Sequence, residues 1–132
     1  MVIKMEMFKY WHCTLKAAME ENEEKSVFVE YFGNYPLIRI LDFLILGREM
    51  DYSMTEIAGN SGVGWTSFTQ IWPKLVNKDI VVFTRKIGNA RLFKLNIDNP
   101  WVKELIRMDN IITKLETEKI LSQNQTLKKL VQ

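Results

Sequence analysis

A two-residue turn between β-prone segments marks residues 80–95, IVVFTRKIGNARLFKL. Gly88-Asn89 suits a tight hairpin turn, because glycine and asparagine tolerate the backbone angles that such a turn requires. The residues on both sides are rich in β-branched and aromatic side chains, which favour strands. With this turn, Lys86 lies directly opposite Arg91. The sequence therefore predicts an antiparallel β-hairpin.

Two helices are predicted before the hairpin from the signals at their ends. Pro36 lies in the first turn of one helix, where its missing N–H costs nothing, and Gly47 ends that helix. Ser53 and Glu56 fit the S-x-x-E capping box of a second helix, which should run from residue 54 to about residue 60. The apolar stripe of the first helix consists of Leu37, Ile40, Leu41 and Leu44.

A third helix is predicted over residues 64–77. Phe68, Trp72 and Leu75 follow one another at i, i+4 and i+7, which predicts that they form its buried face. Pro73 lies inside this segment. Its ring clashes with the carbonyl four residues back, so we expect any kink to fall after the first two turns.

Both ends of the chain are also predicted to be helical. Residues 4–24 repeat apolar residues at spacings of three and four, among them Phe8, Trp11 and Leu15. Asn99 and Pro100 are the N-cap and first residue of a final helix. Its apolar stripe, at alternating spacings of four and three, consists of Trp101, Leu105, Met108, Ile112 and Leu115. The stretch SVFVEYFG, residues 26–33, fits either a short strand or an apolar link.

The length of 132 residues is that of a single domain with its own core. We divide the chain into an N-terminal helix or extension over residues 1–30, three helices and a hairpin over residues 31–99, and a C-terminal helix over residues 100–132. The expected fold class is therefore mainly α with a small β-hairpin.

Positive charge is concentrated in the middle of the chain. The net charge of the whole sequence is +2, but residues 54–95 hold six Lys or Arg against two acidic residues, a balance of +4. Such a block favours a polyanionic partner. A solvated basic face is the alternative interpretation.

Several classes of protein are not indicated by the sequence. No apolar run approaches the roughly 20 residues needed to span a bilayer, and the start of the chain lacks a signal-peptide pattern. His12 and Cys13 are the only residues of their types, too few for a structural zinc site. The single cysteine fits a reducing cytoplasm. We expect a cytoplasmic protein that is not an enzyme and has no catalytic residues, cofactor, metal or membrane contact.

The stretch MTEIAGNSGVGWTSFTQIWPKLVNKDIV, residues 54–81, resembles archaeal and bacterial winged helix-turn-helix DNA-binding regulators. TRKIGNARLFKLN, residues 84–96, resembles their wing and its return strand. Helices that flank the domain at both ends resemble the architecture of MarR-type regulators. The resemblance implies a winged helix-turn-helix fold and a sequence-specific, double-stranded-DNA-binding transcriptional regulator that is a homodimer.

In such a domain the N-terminal part of the third helix reads base edges in the major groove. The resemblance implies base contacts for Thr66, Ser67, Thr69 and Gln70, and glutamine can pair bidentately with adenine. Trp65 fits either a DNA contact or packing, within the protein or at a dimer contact. Gly64 allows the backbone to approach a phosphate closely. The wing would contact phosphates or the minor groove through Arg85, Lys86, Arg91 and Asn89. Further contacts to the DNA backbone would come from Lys74, Lys78 and Thr55.

The terminal helices are predicted to form the homodimer. The residues expected at this interface are Phe8, Trp11, Leu15, Trp101, Leu105, Met108, Ile112 and Leu115. Asn124 would fix the register of pairing as a polar residue within an apolar stripe.

Two other functions stay open. A winged helix can serve as a protein-interaction module, with Trp65 as an anchor, since Trp is enriched at such interfaces. A small-molecule sensor is the other, with Trp11, Phe28 and Tyr31 around a pocket, although no residue pattern indicates an effector.

Overall fold

The computed structural model describes residues 25–131, which form five helices and a three-stranded antiparallel sheet. The predicted helix over residues 4–24, with Phe8, Trp11 and Leu15, lies outside the described residues. The elements in chain order are α1 (Val27–Phe32), α2 (Pro36–Leu46), β1 (Tyr52–Ser53), α3 (Met54–Asn60), α4 (Trp65–Asn77), β2 (Val81–Ile87), β3 (Ala90–Leu95) and α5 (Pro100–Val131). The predicted fold class is confirmed: the molecule is mainly α, and its hairpin forms the wing of a winged helix-turn-helix.

The ambiguous stretch before Gly33 is the short helix α1. The Ser26 hydroxyl caps it by accepting a hydrogen bond from the Val29 N–H at 3.2 Å. Gly33 ends it with a φ of +98°, a left-handed value that favours glycine. Phe28 is 1% exposed. Phe28 therefore lies in the core, while Trp11, the other aromatic residue of the sensor hypothesis in the N-terminal segment, lies outside the described residues.

The helix-turn-helix consists of α3, a tight turn and α4. The capping box at the start of α3 is confirmed: the Ser53 N–H donates to the Glu56 carboxylate at 2.9 Å, and the Glu56 N–H donates to the Ser53 hydroxyl at 3.2 Å. Gly62 turns the chain with a φ of +65°. Helix α4 continues through Pro73. Its predicted inner face is confirmed, because Phe68, Trp72 and Leu75 are all buried.

The sheet has the strand order β1-β3-β2. The predicted hairpin register is confirmed, with Lys86 opposite Arg91 and Gly88 in the turn at a φ of +58°. Strand β1 was not predicted, since two residues carry no periodicity. It pairs Tyr52 with Phe93 and Ser53 with Leu92, so the start of α3 is attached to the wing.

Helix α5 is joined to α4 through Asn99. The Asn99 side chain accepts from the Trp101 N–H at 2.9 Å and donates to the carbonyls of Lys78 and Asp79 at 3.1 and 3.0 Å. The helix then runs for 32 residues, about 48 Å at 1.5 Å per residue. Val102 and Ile112 are buried in the core cluster. In the part of the chain that the structure describes, no helix is both long and apolar enough to cross a membrane.

The predicted dimerisation stripe on α5 divides between two environments. Ile112 is 5% exposed within the core of its own domain, and Leu105 packs against that core. Trp101, Met108 and Leu115, at i, i+7 and i+14, are instead exposed along one line of the helix. Only part of the stripe is therefore free for another molecule.

Candidate nucleic-acid interface

The first half of α4 presents a polar surface. Thr66, Ser67, Thr69 and Gln70 are exposed, as expected for residues that read bases. The Thr69 hydroxyl donates to the Thr66 carbonyl at 2.9 Å. Among residues 25–131, no hydrogen bond to the Gln70 side chain is present, so both ends of its amide face solvent. Gln70 can therefore offer a donor and an acceptor to one base.

Gly64, at the start of α4, leaves the helix N-terminus open. A side-chain carbon added at Gly64 would meet no heavy atom within 4 Å. Gly64 is the N-cap and supplies no side chain to the free N–H groups of the first turn. These groups remain available to an anion that approaches the helix end.

Trp65 begins a continuous row of aromatic rings. The Trp65 and Phe68 rings stack at 5.4 Å between centroids, and those of Phe68 and Trp72 stack at 5.0 Å. Trp72 then meets Phe93 edge-on at 5.2 Å, and Phe93 meets Phe83 edge-on at 5.9 Å. We call these five rings the aromatic row. It connects the start of α4 with the wing through the buried core.

Trp65 takes part in both of the environments considered from the sequence. One face of its indole lies against Phe68, at an interplanar angle of 17°, while the side chain stays 52% exposed. The internal contact fixes the ring beside the polar residues of α4. The exposed part remains available for a partner.

A β-bulge at Thr84 determines which side chains of the wing lie on each of its two faces. Phe83 pairs with Phe93, but Arg85 pairs with Leu92, so Thr84 is an extra residue. Because side chains alternate along a strand, Phe83 and Lys86 would otherwise lie on opposite faces. The extra residue brings them to the same face, which is the face that contacts α4.

Lys86 and Arg91 share this inner face of the wing. They are directly opposed in the hairpin, and both are exposed. Like charges in this position repel each other and destabilise a hairpin. An anion between them would relieve the repulsion, so the pair is a candidate phosphate site.

Arg85 lies on the opposite face and forms an ion pair with Asp51. Its Nε and Nη2 donate to the two Asp51 oxygens at 3.0 and 3.3 Å. The Thr84 hydroxyl donates to the same carboxylate at 2.7 Å. These bonds from Arg85 and Thr84 lower the pKa of Asp51, and the pKa of Arg85 is raised by the same partner. Arg85 is therefore partly neutralised in the free protein.

The ion pair has a defined pH range. Since the pKa of Asp51 is lower in the folded chain, its contribution to stability is fully present above the usual aspartate pKa. It is lost only as the pH falls through the lowered folded value. At neutral pH, Asp51 and Arg85 stay paired unless another anion competes.

Asp51→Asn is expected to strengthen binding to mixed-sequence duplex DNA, because it frees the Arg85 guanidinium for phosphate. One added phosphate contact steepens the slope of log K against log salt by about 0.9. Fluorescence anisotropy titrations at several salt concentrations measure both quantities. Asp98→Asn removes one negative charge outside the sheet and is the matched control. Equal slopes for the two variants would contradict the prediction.

The remaining predicted contact residues lie on several exposed surfaces. Asn89 lies at the tip of the wing, and Thr55 is in the first turn of α3. Lys74 lies in the second half of α4 and Lys78 directly follows the helix as its C-cap, and both line an open apolar groove of about 440 Å³. The groove lies between α2, α4 and the start of α5. These two lysines are therefore the predicted contacts farthest along α4 from its N-terminus.

Two residues of the site were missed from the sequence. Asp51 precedes β1 and had no pattern that linked it to Arg85. Phe83 was hidden by the bulge, since simple alternation places it on the wrong face relative to Lys86. Within the described residues, no group of three or more His, Cys, Asp or Glu is placed to hold a metal ion.

Comparison with known proteins gives similarities of fold. No protein-family model matches the sequence, and no curated protein does. The structure of the transcriptional regulator BldR from Sulfolobus solfataricus has 16% identity and a TM-score of 0.48, over 96% of this chain and 91% of that one. The adhesin competence repressor AdcR from Streptococcus pyogenes has 15% identity and a TM-score of 0.47, over 95% and 81%. Sso10a-2, a DNA-binding protein from Sulfolobus solfataricus, has 13% identity and a TM-score of 0.43, over 71% and 94%.

Proposed function

We propose that this protein is a sequence-specific, double-stranded-DNA-binding transcriptional regulator. The observation that carries the proposal is the arrangement of the two candidate contact surfaces. The wing face with Lys86 and Arg91 is the one that contacts α4, and the aromatic row joins it to Trp65. A reading helix and a cationic wing are thus held as one unit.

The proposed roles follow from the chemistry of each surface. Thr66, Ser67 and Gln70 contact base edges, where good bidentate pairs discriminate between bases by about 1–3 kcal/mol. Lys86 and Arg91 contact phosphates, which adds affinity without sequence information. Thr69 has its hydroxyl engaged within the helix and contributes mainly its methyl group.

Selection from a random duplex library with the full chain, at two salt concentrations, tests this function. We expect an enriched motif at both, with weaker binding at the higher salt. Gln70→Ala should change the preference at one base position more than the general affinity. A library that stays random at both salt concentrations would refute sequence-specific binding.

The exposed half of Trp65 favours a second candidate function, that of a protein-interaction module. Large aromatic rings with one free face are frequent anchors of protein interfaces. The two functions differ in salt dependence. Binding to DNA weakens steeply as salt rises, because the protein releases counterions condensed on the DNA when it binds, and this release is less favourable at high salt. An interface centred on Trp65 would bind its partner with little dependence on salt.

We also propose that the protein is a homodimer joined through α5. Residues 117–131 of α5 are exposed all round, and their apolar side chains are 55–88% exposed: Ile120, Leu121, Leu127, Leu130 and Val131. A second copy of α5 would cover these side chains, and Asn124 among them would favour one register. We call residues 117–131 the distal segment.

A further inference from the structure

Phe83 is an exposed aromatic residue on the wing, with an arginine resting on its ring. The Phe83 side chain is 48% exposed, and the guanidinium carbon of Arg91 lies 4.9 Å from the ring centroid. The ring is itself fixed from below, because it packs edge-on against the buried Phe93 at an interplanar angle of 74°. Arg91 therefore lies on a surface that the core holds in place.

A guanidinium group on an aromatic ring keeps its hydrogen-bond donors free. The group is planar and carries its N–H donors in that plane, so the ring covers one face and leaves the edges open. The open edge matches the geometry of a phosphate, which can accept two parallel hydrogen bonds. Lys86, directly opposite, repels Arg91 and cannot hold it. The contact that can hold the Arg91 guanidinium in place is the Phe83 ring.

We propose that Phe83 is a positioning residue, whose ring holds the Arg91 guanidinium with its edge toward a DNA backbone phosphate. The inference rests on the proposed DNA-binding function and adds to it a residue that touches no DNA itself. It also gives the Thr84 bulge a role, since the extra residue places Phe83 on the same face as Arg91.

The test is a double-mutant cycle on a fixed, mixed-sequence DNA duplex, because phosphate contacts require no particular operator. Binding is measured by fluorescence anisotropy for the full chain and for Phe83→Leu, Arg91→Ala and the double variant. Removal of an exposed cation–π contact should weaken binding about two- to fivefold. Phe83→Leu should show this loss in the parent protein and none in the Arg91→Ala background.

Two further variants separate positioning from a general effect on the fold. Phe83→Tyr keeps an aromatic ring and should bind as the parent protein does. Ile87→Leu changes another exposed apolar side chain of the same strand, which is 56% exposed, and should also leave binding unchanged. Thermal unfolding of each variant shows whether the domain remains intact.

The outcomes distinguish the inference from the function on which it rests. If Arg91→Ala weakens binding but Phe83→Leu does not, the positioning role is wrong and DNA binding by the wing stands. An equal loss from Phe83→Leu in both backgrounds also overturns the inference, since Phe83 then acts without Arg91. If Arg91→Ala has no effect while the parent protein binds duplex DNA, Arg91 is not a phosphate contact and the inference is wrong, while DNA binding stands. A parent protein that does not bind duplex DNA at either low or moderate salt would refute the proposed function itself.

Discussion

Replacing Lys86 and Arg91 together by alanine is expected to make the negative slope of log K against log salt less steep by about 1.8, since each lost phosphate contact removes about 0.9. If the two proteins bind equally at 1 M salt, this slope change corresponds to roughly 60-fold weaker binding of the variant at about 0.1 M salt. The loss should be similar for specific and random duplexes, because phosphates carry no sequence information. Anisotropy titrations over a range of salt give the slope directly.

The control for this variant removes two positive charges elsewhere. Lys103 and Lys114 are exposed on α5, and their joint replacement by alanine changes the net charge by the same amount. If this control flattens the slope as much as the wing variant does, the change in slope is caused by net charge and not by contacts of the wing. The phosphate site at the wing would then be wrong, although the base-reading role of α4 would not be affected.

Removing the distal segment of α5 is expected to convert a dimer into a monomer. The cut belongs after Glu116, because Val102 and Ile112 are core residues and Glu116 accepts a hydrogen bond from the Tyr31 hydroxyl at 3.2 Å. A deletion of the whole helix would instead unfold the domain. Sedimentation of the intact and shortened chains, at tens of micromolar, gives the oligomeric state of each.

Point variants make the same test without shortening the chain. Ile120→Lys and Leu127→Lys together place charges on the exposed apolar surface and should also give a monomer. Gln123→Lys adds a charge to the same segment at a polar position and should leave the dimer intact. An intact chain that sediments as a monomer rejects the dimer. A dimer that survives both the deletion and the double variant rejects the distal segment as its interface.

Local signals were enough to predict the helix-turn-helix and the wing. The capping box at Ser53 and Glu56, the register at Gly88-Asn89 and the buried face of α4 each depend on residues close in sequence. The structure confirms all three. Interactions between residues close in sequence produce local patterns of spacing and residue type, and these patterns can be seen in a single sequence.

The features missed from the sequence depend on contacts between distant parts of the chain. Thr84 bulges where its hydroxyl reaches Asp51, which lies 33 positions earlier. Neither residue suggests the other in the sequence. Strand β1 forms because β3 offers it an edge. Ile112 is buried in the core of its own domain, although its spacing placed it on the predicted dimerisation stripe. For the same reason the sequence suggested three free cations on the wing, where Arg85 is already paired with Asp51.

Under the proposed DNA-binding function, the aromatic row also has a consequence for which molecule deforms in the complex. Its five rings are in contact from Trp65 to Phe83, with Phe68, Trp72 and Phe93 buried between them. Close-packed interiors have low compressibility, so the distance between reading helix and wing is nearly constant. We expect the duplex to adjust its groove width and curvature to this fixed span. Sequences that bend at low elastic cost would then be preferred at positions that no side chain touches.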